Sequence, residues 1–207
     1  MATGLNTADE RDGLQNDVPT GADILVKSHN RNYYFFNKRS RKEGLKWVFE
    51  DMEYFNGVGI LIIRDPFHAI RSCWNHIHGD ASDRNIYSNS FQDFAAKEAD
   101  RWFEVIRNWL ILGQQVHIVF YEELVNNLEI ELKEVVLFLK IKIHNERFEC
   151  IKKSKFESNK RRKPKLPRNP FSSANILKIN NIVNMTNEIL INQGYETLPL
   201  HLYKPLV

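Results

Sequence analysis

Three short polar segments of this chain carry residue types that hold or move an anion. Lys27-Ser28-His29 sets a cation and an imidazole two positions apart, so on an extended strand both fall on one side. An imidazole so placed takes a proton from a hydroxyl, and the ammonium neutralises charge growing on a leaving phosphate. Arg64-Asp65-Pro66 is followed, eight positions after the arginine, by Ser72. Arginine at a strand end binds phosphate through paired N–H bonds, and a hydroxyl two turns into the next helix reaches the same anion. Tyr121-Glu122-Glu123 is the third segment. A basic run, Lys160-Arg161-Arg162-Lys163-Pro164-Lys165, suits closure over an anionic ligand.

Each segment also has an ordinary reading. His29 is then a strand-end histidine with a structural hydrogen bond. Arg64 pairs with Asp65 or a nearby carboxylate, which is worth little at a surface, and Ser72 is a neutral surface residue. Tyr121 is a core aromatic with its hydroxyl capped. The basic run is a solvated loop, or a nucleic-acid or heparin patch. His68, His76 and His78 lie close in sequence, but no His, Cys and carboxylate set has zinc spacing. The phosphate-loop patterns GxxxxGK[ST] and GxGxxG are absent from the sequence.

The elements that must position these residues alternate. Residues 22–27 form a short strand-like run. Residues 58–63 (VGILII), bounded by Gly57 and Asp65-Pro66, suit a strand buried on both faces. Pro66 stands where a helix begins, which extends over 67–77. Residues 79–90 read as a polar loop. Residues 91–112 have helical apolar spacing from Phe94 to Leu110 and stop at Gly113. Residues 116–120 (VHIVF) read as a second buried strand, 122–139 as one amphipathic helix, and 145–153 as a shorter one. The last helix spans 172–193, capped by Ser172 or Ser173 and stopped by Gly194. Residues 1–20, rich in Asn, Asp, Gly and Thr, read as irregular, with the domain proper over 21–207. The strand-helix alternation predicts an α/β fold with a parallel sheet, whose ligands bind beyond the carboxyl ends of the strands. All three polar segments follow apolar runs and are expected to converge at that edge.

The totals set limits. A chain of 207 residues, 43% hydrophobic and 27% charged, has the makings of one globular domain. A net charge of +3 and the lack of any RNA- or DNA-binding motif argue against nucleic acid as a partner. No apolar run is long enough to span a membrane, and residues 1–20 have no signal-peptide pattern. Cys73 and Cys150 read as two buried thiols in preference to a bridge. One Asn-x-Thr triplet begins at Asn184.

Taken in order, VKSH (26–29), RDPFHAIRS (64–72), FYEEL (120–124) before a helix ending VVLFLKI (135–141), and ESNKRRKP (157–164) resemble the PAPS-dependent sulfotransferases. The closer resemblance is to the WSC domain-containing group that includes sialate O-sulfotransferases. It rests on 61–66, the tryptophan-rich helix 91–112 with WLILGQQV, FECIKKSK before the basic run, and the ending YETLPLHLYKP. The resemblance implies a P-loop-NTPase-like parallel sheet flanked by helices. It implies sulfuryl transfer from PAPS to a hydroxyl of a glycan such as a sialic acid, with PAP as product, no metal, and a Golgi location. Residue by residue it makes His29 the general base and Lys27 the stabiliser of the bridging oxygen. Arg64 and Ser72 hold the donor's 3′-phosphate, Tyr121 lines the adenine pocket, and Lys160, Arg161 and Arg162 reach the phosphate from the basic loop. That loop lacks the glycine of the family's usual Arg-Lys-Gly ending.

The family's loop for the 5′-phosphosulfate, with its strand and most of its helix, has no counterpart in this sequence; residues 1–7 resemble the segment just after that helix. Loss of a central strand leaves unpaired edges and an exposed apolar face. The expectation is therefore a partial sulfotransferase domain of low stability or low activity. The alternative function is a non-catalytic fragment or pseudoenzyme that at most binds PAP.

Overall fold

A computed structural model describes residues 6–9, 23–27, 56–79, 85–143, 145–146, 148–149 and 166–203. In chain order the elements are β1 (Asn6–Asp9), β2 (Asp23–Lys27), β3 (Val58–Ile63), α1 (Pro66–His78), α2 (Asn89–Leu112), β4 (Gln115–Phe120), α3 (Tyr121–Asn126), α4 (Leu128–Phe138) and α5 (Ser173–Asn192), then a 3-10 turn at Leu200–Leu202. β1 pairs with β2 and β3 with β4, both in parallel. The fold is α/β, a small parallel sheet flanked by helices, as the alternation of elements predicts.

β3 and β4 run in unbroken register from Val58 opposite Gln115 to Ile63 opposite Phe120. α1 and α2 lie between them in sequence, the crossover that parallel strands require. One face of the pair packs on α2. Gly59 approaches Trp109 so closely that a Cβ there would sit 2.7 Å from the indole, while Leu61 and Ile63 sink into the core. Phe91, Ala95, Ala99, Ile106 and Leu110 form the buried stripe of α2, at the helical period. They meet Ile179, Ile182, Val183 and Leu190 of α5 in the same cluster. Each of the buried Phe, Ile, Leu and Val side chains contributes about 1.5–3 kcal/mol from the area it removes from water. Polar contacts fix the register of the two helices. Asn175 Nδ2 donates to Gln92 Oε1 (2.9 Å), and Lys178 Nζ donates to Asp100 Oδ2 (2.7 Å).

The expected Pro66, Ser172 and Gly194 stand at helix ends, and Asp65 and Ser88 add caps that the sequence reading did not name. Asp65 caps α1 through Phe67 N–H, with Pro66 in the first turn. Ser88 caps α2 and Ser172 caps α5. Gly194, at φ +77°, takes the left-handed conformation just after α5.

Four expectations are corrected. The run 58–63 is not covered on both faces: Ile62 is 60% exposed, because among the described residues no helix lies over that part of β3. Within residues 1–20, expected irregular, residues 6–9 form a strand whose backbone pairs with β2. The single helix expected over 122–139 is two, α3 and α4, divided at Asn127 (φ −129°, ψ 45°). Asparagine is a poor interior helix residue and leaves helical dihedrals readily. The stretch 79–90 is not wholly a polar loop, since Ile86 is fully buried and Asn89 opens α2. Residues 145, 146, 148 and 149 are helical, in line with a short helix there. Cys73 is a half-buried thiol outside any disulfide, and Cys150 lies outside the described residues.

Candidate functional site

The register of the sheet builds the site. Ile63 and Phe120 are opposite each other, so the residues that follow them, Arg64 and Tyr121, emerge side by side at the carboxyl edge. α3 begins directly at the end of β4 without a side-chain cap, which places Tyr121 in a first helical turn rather than in a loop. The Arg64 guanidinium lies over the Tyr121 ring, 4.5 Å from its centre, a cation–π contact. Tyr121 is 36% exposed and makes no hydroxyl hydrogen bond among the described residues. It is a stacking platform, not a capped core aromatic.

Arg64 is held from behind. Trp102 Nε1 of α2 donates to its carbonyl at 3.0 Å. Among the described residues its side-chain Nε is buried without a partner, and no carboxylate there pairs with it. The ordinary reading, an Arg64–Asp65 ion pair, is overturned for a local reason. Asp65, 2% exposed, spends its carboxylate on its own helix. Oδ1 accepts Phe67 N–H at 2.9 Å and Oδ2 meets His68 Nδ1 at 2.6 Å. The backbone N–H of Asp65 donates to Glu122 Oε1 of α3 at 3.1 Å. That bond ties the turn after β3 to the turn after β4. Glu122 Oε2 and the Tyr203 hydroxyl are also buried without partners among the described residues. Burial, then the nearby Glu122 and Asp65 carboxylates, hold the Tyr203 phenol well above its usual range and so protonated.

A cation whose buried Nε has no partner among the described residues, on an aromatic platform and backed by a fixed carbonyl, is an arrangement for holding an anion with a planar partner. Ser72, half-buried on α1, lies two turns on from the strand end. Lys27 closes β2, its backbone opposite Asp9. His29, Lys160, Arg161 and Arg162 lie outside the described residues. The chain re-enters the described structure at Leu166, buried in the core, and Phe171 meets Phe67 of α1 edge-on at 5.2 Å. The segment after the basic run thus packs beside the first turn of α1. Of the three strand ends expected to converge, the structure brings together those after β3 and β4.

The sequence reading gave Asp65 only as an ion-pair partner of Arg64, placed Glu122 at the edge without a role, assigned nothing to Trp102 or Tyr203, and weighed His68 only as a zinc ligand. One local signal was present for the first. Asp-Pro opening a helix, with histidine three residues after the aspartate, is the spacing of a side-chain-capped first turn. Trp102, Glu122 and Tyr203 reach the site from distant sequence, and no local signal marks them. Among the described residues no group of three or more His, Cys, Asp or Glu is placed to hold a metal ion, and no helix is long and apolar enough to cross a membrane.

No solved structure matches this chain. The family model of the sulfotransferase domain matches residues 59–173, a span running from β3 past the Arg64–Tyr121 edge and through the basic run. That span is more than half of the 207 residues, and the chain therefore belongs to the sulfotransferase domain family.

Proposed function

We propose that this chain works on PAPS, with Arg64 and Ser72 holding the donor's 3′-phosphate and Tyr121 beside the nucleoside. The sulfuryl group passes to a hydroxyl of a glycan, a sialic acid in the closest resemblance, that of the WSC domain-containing group in the Golgi. In that reaction the acceptor oxygen forms a bond to sulfur as the bond from sulfur to the bridging phosphate oxygen breaks. His29 takes the hydroxyl proton, Lys27 neutralises the leaving phosphate, and PAP departs. In-line transfer of this kind depends on positioning and on fixed charge.

The observation that carries the reading is the unspent charge of Arg64. An arginine with a buried, unpartnered Nε and no carboxylate partner among the described residues is costly unless an anion completes it. The test is calorimetric binding of PAP to the full chain beside Arg64→Ala. We expect a loss of about 100-fold or more, the scale of a lost bidentate charge-assisted pair, with no change in melting temperature. Equal binding by the variant, or no binding by a folded wild-type chain, would overturn the reading. Transfer of labelled sulfate to a sialylated glycan then separates a transferase from a chain that only binds PAP.

A further inference from the structure

The PAPS reading leaves the Asp65–His68 pair at this edge unused. His68 Nδ1 lies 2.6 Å from Asp65 Oδ2, and the carboxylate side chain is 3% exposed against 27% for the imidazole. An ionised carboxylate only accepts, so the ring carries a proton on Nδ1. The carboxylate is itself locked by the Phe67 N–H and by the Asp65–Glu122 bond. The imidazole is thus oriented from below in the manner of a carboxylate–histidine pair. No other hydrogen bond reaches the ring among the described residues, and Nε2 is not among the fully buried unpartnered atoms. It is the ring's outward nitrogen.

Place in the helix gives that nitrogen a task. His68 and Ser72 are four residues apart in α1, on one face and one turn apart. His68 is the nearer of the two to Arg64 along the chain. An anion shared by Arg64 and Ser72 has His68 on its helix-side flank. A neutral imidazole of this tautomer would turn a lone pair toward it, whereas the imidazolium donates from both nitrogens.

We propose that His68 is a third contact to the donor's 3′-phosphate, and that nucleotide binding draws one proton from solvent onto His68 Nε2. This rests on the PAPS reading. The charged and titratable groups around the turn set the balance. The carboxylates there are Asp65 and Glu122, and the cations are Arg64 and Arg71. The Tyr203 hydroxyl stays neutral. The arriving phosphate tips the balance toward the charged ring.

A bare helix cap predicts none of this, which gives the test its contrast. PAP binding to the full chain is measured by calorimetry in buffers of differing ionisation enthalpy, for wild type and for His68→Gln, between about pH 6 and 8. Wild type should show a buffer-dependent enthalpy and affinity that rises as pH falls, by up to about tenfold per pH unit for one linked proton. His68→Gln should bind about tenfold more weakly at the acid end, as for one lost charge-assisted bond. It should retain only the proton linkage of the phosphate's own second ionisation. If His68→Gln matches wild type in affinity and buffer dependence while Arg64→Ala abolishes binding, His68 is a cap only and the PAPS reading stands. If folded wild type does not bind PAP, the PAPS reading falls and this inference with it. Should His68→Gln lower the melting temperature, Asp65→Asn decides by the same calorimetry. It keeps an oxygen for Phe67 N–H but removes the charge that favours the imidazolium. Unchanged buffer dependence in Asp65→Asn would overturn the proposal.

Discussion

The two ends of the β3–β4 pair are built on opposite terms. At the amino end the backbone closes on itself: Gln114 and Gln115 N–H both donate to the Gly57 carbonyl, at 2.9 and 3.2 Å. Gly57 sits at φ +64°, and Gly59 lets the strand lie against Trp109. At the carboxyl end three polar atoms, Arg64 Nε, Glu122 Oε2 and the Tyr203 hydroxyl, are buried without partners among the described residues. Packing of the first kind contributes stability and nothing chemical. Polar groups of the second kind cost stability where they stand and are kept where a ligand can complete them. On the proposed reading, one end of a strand six residues long serves structure and the other serves recognition.

The largest expected effect comes from breaking the amino end. Gly59→Val would drive its Cβ to within 2.7 and 2.8 Å of two indole carbons of Trp109. Trp109 is half-buried against the core, so the ring or its helix must shift. Overpacking of this kind costs about 1–3 kcal/mol, and we expect the upper part of that range. Urea unfolding should show a lower midpoint, while the fraction that remains folded binds PAP as wild type does. A variant of undiminished stability but weaker PAP binding would erase the division between the ends.

An intermediate effect is expected where the two functions meet. Trp102→Phe keeps the aromatic bulk in α2 but deletes the N–H that donates to the Arg64 carbonyl. A half-buried carbonyl left without its donor costs about 1–2 kcal/mol. Because the same bond fixes the turn carrying Arg64, PAP affinity should fall severalfold as well. Melting and calorimetry on one preparation check this. Loss of stability with unchanged affinity would show that the turn is held by Asp65 and Glu122 alone.

These contrasts bear on what was legible in the sequence. VGILII was readable as a strand because it is continuously apolar and bounded by Gly57 and Asp65-Pro66, and its observed limits agree. The stripe from Phe91 to Leu110 was readable because a 3.6-residue period survives any change of neighbours. A run apolar on both faces cannot say which face the chain covers, so the exposure of Ile62 was hidden. The break at Asn127 was hidden because the apolar pattern runs on through it. Arg64, Ser72 and Tyr121 stood out by type and order, but the property that matters in Arg64 did not. That it has no carboxylate partner among the described residues follows from a capping choice of Asp65, whose N–H is bound by Glu122 from 57 positions away.

The smallest effect tests whether an unpartnered buried atom means recognition wherever it occurs. His117, mid-strand in β4, has Nε2 buried without a partner and stacks on Phe138 of α4 at 5.2 Å between ring centres. It is not at the carboxyl end. Burial holds its imidazole below the usual range, with Glu134 opposing only in part. A folded value below the unfolded one means that the unfolded chain takes up the proton first as pH falls. The contribution is therefore neutral above the unfolded value, near pH 6.5, and turns against folding as pH drops from there toward the folded value. His117→Phe, which preserves the stack on Phe138, should leave the melting temperature near wild type at pH about 7.5 and exceed it by a few degrees at pH about 5.5. PAP binding should be unaffected at either pH. Parallel melting curves would mean that His117 is solvated in solution. A loss of PAP affinity would mean that the anion site extends along β4, and the contrast between the two ends of the sheet would then have to be redrawn along its length.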